Sequence, residues 1–280
     1  KTMLAKCIPS IMPDMSFREA LETTKIHSVA GKMKDTEGIV YRRPFMSPHH
    51  TASRVSIIGG GQSAKPGVVS LAHNGVLFLD EMPEYPRSVL ESLRQPLEDR
   101  VITVTRVKAN LEYPASFMLA GSMNPCPCGY YGSKDRECTC SPTQIKKYRE
   151  RISGPLLDRM DIRINVDNVK YDELTDKTEA ESSAEVRKRV NRTRALQRER
   201  FKDDGISSNA EMSEKHLNKY CVLSRECEEI LKYAFESLKM SARARSRIIK
   251  VARTIADMDL SENIEPKHLL EAISYRGDGL

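Results

Sequence analysis

The stretch Gly75-Val76-Leu77-Phe78-Leu79-Asp80-Glu81 restricts the fold more than any other part of the chain. An apolar run of strand length without polar alternation is a strand covered on both faces, and such strands belong to parallel sheets flanked by helices. It ends on two adjacent carboxylates, at the edge where α/β sheets bind ligands. Ser116-Phe117-Met118-Leu119-Ala120 reads as a second buried strand, and Asp161-Ile162-Arg163-Ile164-Asn165-Val166 alternates as an edge strand would. Helical patterns over Phe17–Val29 and Ser88–Leu97 alternate with the strands, which predicts a three-layer α/β domain with a mainly parallel sheet.

Two segments interrupt this order. Val101-Ile102-Thr103-Val104-Thr105-Arg106-Val107 alternates β-branched and polar residues, and a second extended stretch follows Lys108-Ala109-Asn110. The pattern predicts a hairpin over 101–113 with Arg106 and Lys108 at its tip. Gly59-Gly60-Gly61-Gln62-Ser63-Ala64-Lys65-Pro66-Gly67 cannot be helix and is too flexible for a regular strand, so it is expected to be a loop, within an insert over 54–67 that carries Lys65. Ser182–Phe201 reads as a charged helix, and past Asp203-Asp204-Gly205 nearly everything is helical: Cys227–Leu238, Ala242–Met258 and Pro266–Ala272. The chain is therefore divided into a core over 1–203 and a helical domain over 204–280.

Composition bounds the surroundings. The 45 basic and 39 acidic residues give a net charge of +6, compatible with a local basic surface but too mild to identify a partner. No apolar run approaches bilayer length, and the first residues lack the regions of a signal peptide, so no membrane is expected. Of seven cysteines, four crowd between Cys126 and Cys140 while Cys7, Cys221 and Cys227 lie apart, the usage of a cytoplasmic protein with reduced thiols.

The chemistry-bearing residues point to a nucleotide. An acid at the end of a buried strand, Asp80, can hold Mg²⁺, and its neighbour Glu81 can polarise a water in line with a terminal phosphate, a Walker B arrangement. Lys1-Thr2 matches the last two residues of a phosphate-binding loop, whose ammonium reaches the phosphates of ATP and whose hydroxyl ligates Mg²⁺. Asn124 ends the second strand and can orient the attacking water, the role called sensor 1; an Asn before Pro is equally a turn former. Arg159, between Asp158 and Asp161, has the setting of an arginine finger, or of a surface ion pair. Cys126-Pro127-Cys128 and Cys138-Thr139-Cys140 supply four soft ligands for a structural Zn²⁺, with no open position for catalysis. The adjacent His49 and His50 point apart in an extended chain and are read as structural rather than ligating.

These signals come in the order of a known family. Arg43-Pro44-Phe45-Met46-Ser47-Pro48-His49-His50-Thr51, Leu71-Ala72-His73-Asn74-Gly75 with the Walker B strand, and Val251-Ala252-Arg253-Thr254-Ile255-Ala256-Asp257 resemble the AAA+ module of magnesium-chelatase subunit I and, more closely, of the ComM (YifB-type) proteins. The resemblance covers nearly the whole length. It implies an AAA+ P-loop NTPase core followed by a helical lid, and a ring, usually a hexamer, with ATP between subunits. The glycine loop then corresponds to the helix-2 insert and the 101–113 hairpin to the presensor-1 hairpin, so that Lys65, Arg106 and Lys108 face DNA in the pore. Arg243 best matches the sensor 2 position, with Arg245 and Arg247 as competitors. The expected activity is that of a DNA branch-migration helicase in recombination or natural transformation, with a chelatase-type motor and a non-catalytic nucleic-acid scaffold as alternatives. ComM-type proteins also carry a Lon-protease-like amino-terminal domain and phosphate-loop glycines, to which nothing in this chain corresponds; a piece beginning inside that loop is expected to be a poor ATPase.

Overall fold

A computed structural model describes residues 1–33, 38–61, 64–105, 110–133, 136–166 and 180–277. The chain forms two compact units, Lys1–Arg159 and Met160–Gly279.

The first unit opens with α1 (Thr2–Ile11) and α2 (Phe17–Val29). Ser16 starts α2 with a capping box: its hydroxyl accepts the Glu19 N–H at 3.2 Å while the Glu19 carboxylate accepts the Ser16 N–H at 2.7 Å. Beyond β1 (Phe45–Met46) come α3 (Arg54–Ile58), the short strands β2 (Gly59–Gly60) and β3 (Lys65–Pro66), α4 (Val68–Leu71) and β4 (Val76–Leu79). Every residue of β4 is buried. It lies at the centre of a parallel sheet in the order β1-β4-β7, where β7 is Met118–Gly121, with Phe45 opposite Val76 and Leu79 opposite Gly121. The continuous apolar run thus does mark a central parallel strand with helices around the sheet.

Arg43, just before β1, holds the sheet to the first two helices. Its buried guanidinium donates to Pro13 O, to Asn74 O at 2.7 Å and to the Glu19 carboxylate at 3.2 Å. Burial pushes the Glu19 carboxyl up, but hydrogen bonds from Ser16 and the Arg43 charge outweigh it and hold it below its ordinary value.

The pattern over Ser88–Leu97 resolves into two helices, α5 (Arg87–Ser92) and α6 (Arg94–Asp99). Pro96 has no N–H to give to Ser92, so the helix turns at Leu93. The predicted hairpin is present as β5 (Val101–Thr105) paired antiparallel with β6 (Asn110–Pro114); Arg106 and Lys108 lie outside the described residues. The glycine segment differs from the expected loop: β2 and β3 pair antiparallel, Gly59 opposite Pro66. Close approach explains this, since a Cβ on Gly67 would lie 2.3 Å from Gly59 N and 2.4 Å from Ile57 O. The insert and the hairpin also join, for Tyr113 Oη donates to Ala64 O at 2.8 Å. The unit closes with α7 (Pro142–Arg149), opened by a second capping box from Ser141 and Gln144, and α8 (Gly154–Leu157).

The second unit is helical: α9 (Ser183–Arg200), α10 (Glu214–Tyr220), α11 (Arg225–Ser237), α12 (Ala242–Met258) and α13 (Pro266–Gly277). Phe201, Leu231, Ile248, Ala252 and Leu269 are among the residues of its core. The charged helix α9, grouped with the core by the sequence reading, packs here against α12. Asp161–Val166 is not the edge strand its alternation predicted; it makes no ladder, and the Arg163 N–H donates to Tyr275 O at 3.0 Å, satisfying the backbone on a helix instead. Among the described residues no helix is long and apolar enough to cross a membrane.

Candidate functional site

Elements distant in sequence bring five of the predicted residues together at the carboxyl end of the sheet. Lys1 and Thr2 begin α1, Asp80 and Glu81 follow β4, and Asn124 lies beyond β7. Thr2 Oγ1 donates to Asp80 Oδ2 at 2.7 Å, and Lys1 Nζ donates to Met123 O at 2.8 Å and to Asn124 Oδ1 at 3.4 Å. A hydroxyl and a carboxylate in contact are two hard oxygen donors of the kind Mg²⁺ takes, and the ammonium beside them suits a phosphate.

Ser122 completes this group and was not singled out from sequence. Its hydroxyl donates to Asp80 Oδ1 and accepts the Glu81 N–H at 3.2 Å, so it holds both acids from the neighbouring strand. The signal was present in its position between the apolar strand and Asn124. Burial pushes the Asp80 carboxyl up, yet hydrogen bonds from Ser122, Thr2 and the Glu81 N–H outweigh it and hold the group below its ordinary value. Asp80 is therefore an anion at neutral pH.

Glu81 has a left-handed backbone, with φ 50° and ψ 49°, unusual for a residue bearing a Cβ. Such strain persists where surrounding contacts over-determine it, often at active sites. It breaks the strand direction immediately after Asp80, and the Glu81 side chain is left 57% exposed, open to a ligand. His50 Nδ1 lies 4.0 Å from Glu81 Oε2, and its ring sits edge-on to Tyr85. The histidine pair read as structural thus borders the catalytic candidate.

Arg159 is not part of this cluster. Its guanidinium donates to the Glu98 carboxylate and to Pro155 O at 2.8 Å. In the helical unit, Arg243 is exposed in the first turn of α12; Arg245 lies 3.5 Å from Glu228 and Arg247 lies 2.6 Å from Asp161. Lys65 is exposed on β3. Arg253 and Asp257, within the helical stretch that carried the family resemblance, are buried at 2% and 1% and bonded to each other at 3.0 Å. Their role is therefore structural.

Four cysteines form a second centre. The Sγ atoms of Cys126, Cys128, Cys138 and Cys140 all lie within 4.8 Å of one another, with separations of 3.3, 3.6 and 3.7 Å among the first three. Tetrahedral thiolates about 2.3 Å from Zn²⁺ stand about 3.8 Å apart, so the cluster fits that ion. Backbone N–H groups of Tyr131 and Cys140 point at Cys126 and Cys138, each at 3.4 Å. The Tyr130 N–H draws the Cys128 thiol down to about 5. At Cys138 the Cys140 N–H also pulls down, but burial and the neighbouring Cys128 and Cys126 sulfurs push the thiol up to about 12. One thiolate forms readily and a second is opposed, so full ionisation calls for a cation in the middle. Arg149 Nε donates to Pro125 O at 3.2 Å, anchoring α7 to the segment between Asn124 and the first cysteine.

Residues 1–174 match the family model described as magnesium chelatase, subunit ChlI, and residues 180–276 match the model for the subunit ChlI C-terminal region. The chain is 42% identical over 278 residues to competence protein ComM of Haemophilus influenzae, and equally to an uncharacterized protein YifB of Salmonella typhimurium. It is 38% identical over 280 residues to the uncharacterized protein Mb2921c of Mycobacterium bovis. These alignments take in 99 to 100% of this chain and 53 to 55% of the relatives, so the chain spans about half the length of the curated relatives it matches. A central parallel strand ending in Asp80 and Glu81, a helical unit beyond it and two family models in register with both lead to one assignment: the chain belongs to the magnesium chelatase subunit ChlI family of AAA+ proteins, in its ComM/YifB-type branch.

Proposed function

We propose that this chain is the motor part of an ATP-hydrolysing ring, usually a hexamer in this family, that acts on DNA as a branch-migration helicase. The observation that carries the reading is the convergence of Lys1, Thr2, Asp80, Ser122 and Asn124 on one edge of the sheet, with Glu81 exposed beside them. Lys1 binds the terminal phosphates, Thr2 and Asp80 hold Mg²⁺, and Glu81 takes the proton of the attacking water while Asn124 orients it. Bound Mg²⁺ supplies charge neutralisation at the phosphates. Arg159 serves a neighbouring subunit as arginine finger, and Arg243 reports nucleotide state to the helical unit. The cysteine cluster holds a structural Zn²⁺ and stiffens the segment just past Asn124.

DNA as substrate is supported by the resemblance of the 54–67 insert and 101–113 hairpin to pore-facing elements and by a relative named a competence protein. Lys65, Arg106 and Lys108 are the proposed contacts to the phosphate backbone, a mode that follows a strand without reading its sequence. The test is ATP hydrolysis by the full-length protein, with and without branched or single-stranded DNA, against Glu81→Gln. Stimulation by DNA that the variant abolishes supports the motor. Hydrolysis indifferent to DNA favours a chelatase-type motor that drives a partner enzyme, and absence of hydrolysis by folded, Mg²⁺-supplied protein leaves a nucleic-acid-binding scaffold.

A further inference from the structure

We propose that Glu98 is a latch that holds Arg159 back until the 101–113 hairpin is engaged; this rests on the reading of Arg159 as an arginine finger. The Arg159 guanidinium donates through one terminal nitrogen to the Glu98 carboxylate and through the other to Pro155 O, and its side chain is only 10% exposed. A finger must present those nitrogens to a phosphate on another subunit. Each terminal nitrogen keeps a second N–H, but with the guanidinium bonded to Glu98 and Pro155 and only 10% exposed it is not presented to a neighbour's nucleotide, so catalysis requires that the ion pair open.

The position of Glu98 says what opens it. Glu98 lies in the last turn of α6, which ends at Arg100 in a left-handed conformation with φ 58°. The β5 strand leaves from Arg100, and the hairpin closes back on the same residue, because the Ala115 N–H donates to Arg100 O at 2.7 Å. The root of the hairpin is thus fixed two residues from the latch carboxylate. Between Arg100 and Glu98 there is less than one helical turn, which transmits displacement with little loss. A load on the hairpin tilts α6, moves the Glu98 carboxylate away from Arg159 and frees the guanidinium. The Glu98 side chain is 45% exposed, so the released carboxylate is received by water at small cost.

The latch makes hydrolysis depend on substrate through a contact that touches neither nucleotide nor DNA. Glu98→Gln keeps the shape and removes the charge. In full-length protein it is expected to raise the DNA-free kcat roughly fivefold, leave the KM for ATP unchanged and shrink the stimulation by DNA. Glu98→Asp, a carboxylate retained but shortened, is expected to fall between the two. An unchanged or lowered DNA-free rate in Glu98→Gln, with normal thermal unfolding, overturns the latch. Arg159→Ala separates this from the reading beneath it: if that variant loses hydrolysis while Glu98→Gln changes nothing, the finger stands and the latch fails. If Arg159→Ala hydrolyses ATP at the parent rate, the finger assignment and the latch fall together.

Discussion

Asp257→Asn is the substitution whose cost the structure defines best. The Asp257 carboxylate, 1% exposed, accepts from Arg200 through both oxygens, from Arg253 at 3.0 Å, and from Asn209 at 2.7 Å. Arg253 extends the network by donating to Ser261 O and Glu262 O, which ties α12 to the turn before α13. Replacing the anion by a neutral amide leaves the buried Arg253 guanidinium without a counter-charge, and breaking such a pair from one side costs about 3–5 kcal/mol. For a unit of this size each kcal/mol moves the midpoint about 4 °C, so a fall of about 12–20 °C is expected in thermal unfolding followed by circular dichroism. Glu229→Gln serves as contrast, because its pair with Arg225 is exposed at 68% and 94% and is worth less than about 1 kcal/mol. Acid gives an independent arm. Burial pushes the Asp257 carboxyl up, but the bonds from Arg200 and Asn209 outweigh it and hold the group below its ordinary value. A depressed native value means that the contribution is complete above about pH 4 and is lost as pH falls through the native value, so the variant is expected to show a flatter acid limb than the parent. A shift under about 4 °C for Asp257→Asn, or an acid limb identical to the parent's, refutes the clamp.

Other expectations follow from single contacts. Gly75→Ala puts a Cβ 2.1 Å from Pro44 O, forcing β1 away from β4; a loss of about 1–3 kcal/mol in urea unfolding is expected, and a silent substitution contradicts the packing. Ser122→Ala deprives Asp80 and Glu81 of a shared partner and is expected to lower kcat for ATP about tenfold at unchanged protein stability; an unchanged kcat removes Ser122 from the site. Atomic spectroscopy is expected to find about one zinc per chain, lost in Cys126→Ser together with several degrees of thermal stability, and zinc-free parent protein with parent-like melting excludes the site.

The parallel core was legible because β4 carries no polar residue, and few arrangements tolerate such a strand. Of the candidate site, Asp80 and Asn124 were named from the strands they follow and Lys1 and Thr2 only in company with the distant acidic strand end, and folding sets Thr2 against Asp80 and Lys1 against Asn124. Ser122 escaped because a serine between a strand and a turn is common, and only the strand pairing of Leu79 with Gly121 sets it against Asp80. The strand expected at Asp161–Val166 failed because alternation describes side chains, whereas pairing depends on which backbone groups are within reach; Tyr275 O was the available acceptor. The glycine segment hid its ladder for the opposite reason, since residues without side chains leave no periodicity to read. Arg253 and Asp257 illustrate a third limit, as a charged pair inside a helix looks the same in sequence whether it faces solvent or the core.

The bond from the Tyr113 hydroxyl to the Ala64 carbonyl has a mechanical consequence. Ala64 lies just before β3 and Tyr113 stands opposite Ile102, one step from the base of the hairpin, so the insert is riveted to the hairpin's root and the two move together. Whatever presses on the glycine ladder is felt at the root of the neighbouring hairpin. Cutting the rivet with Tyr113→Phe would let the ladder and the hairpin move independently without altering a charge.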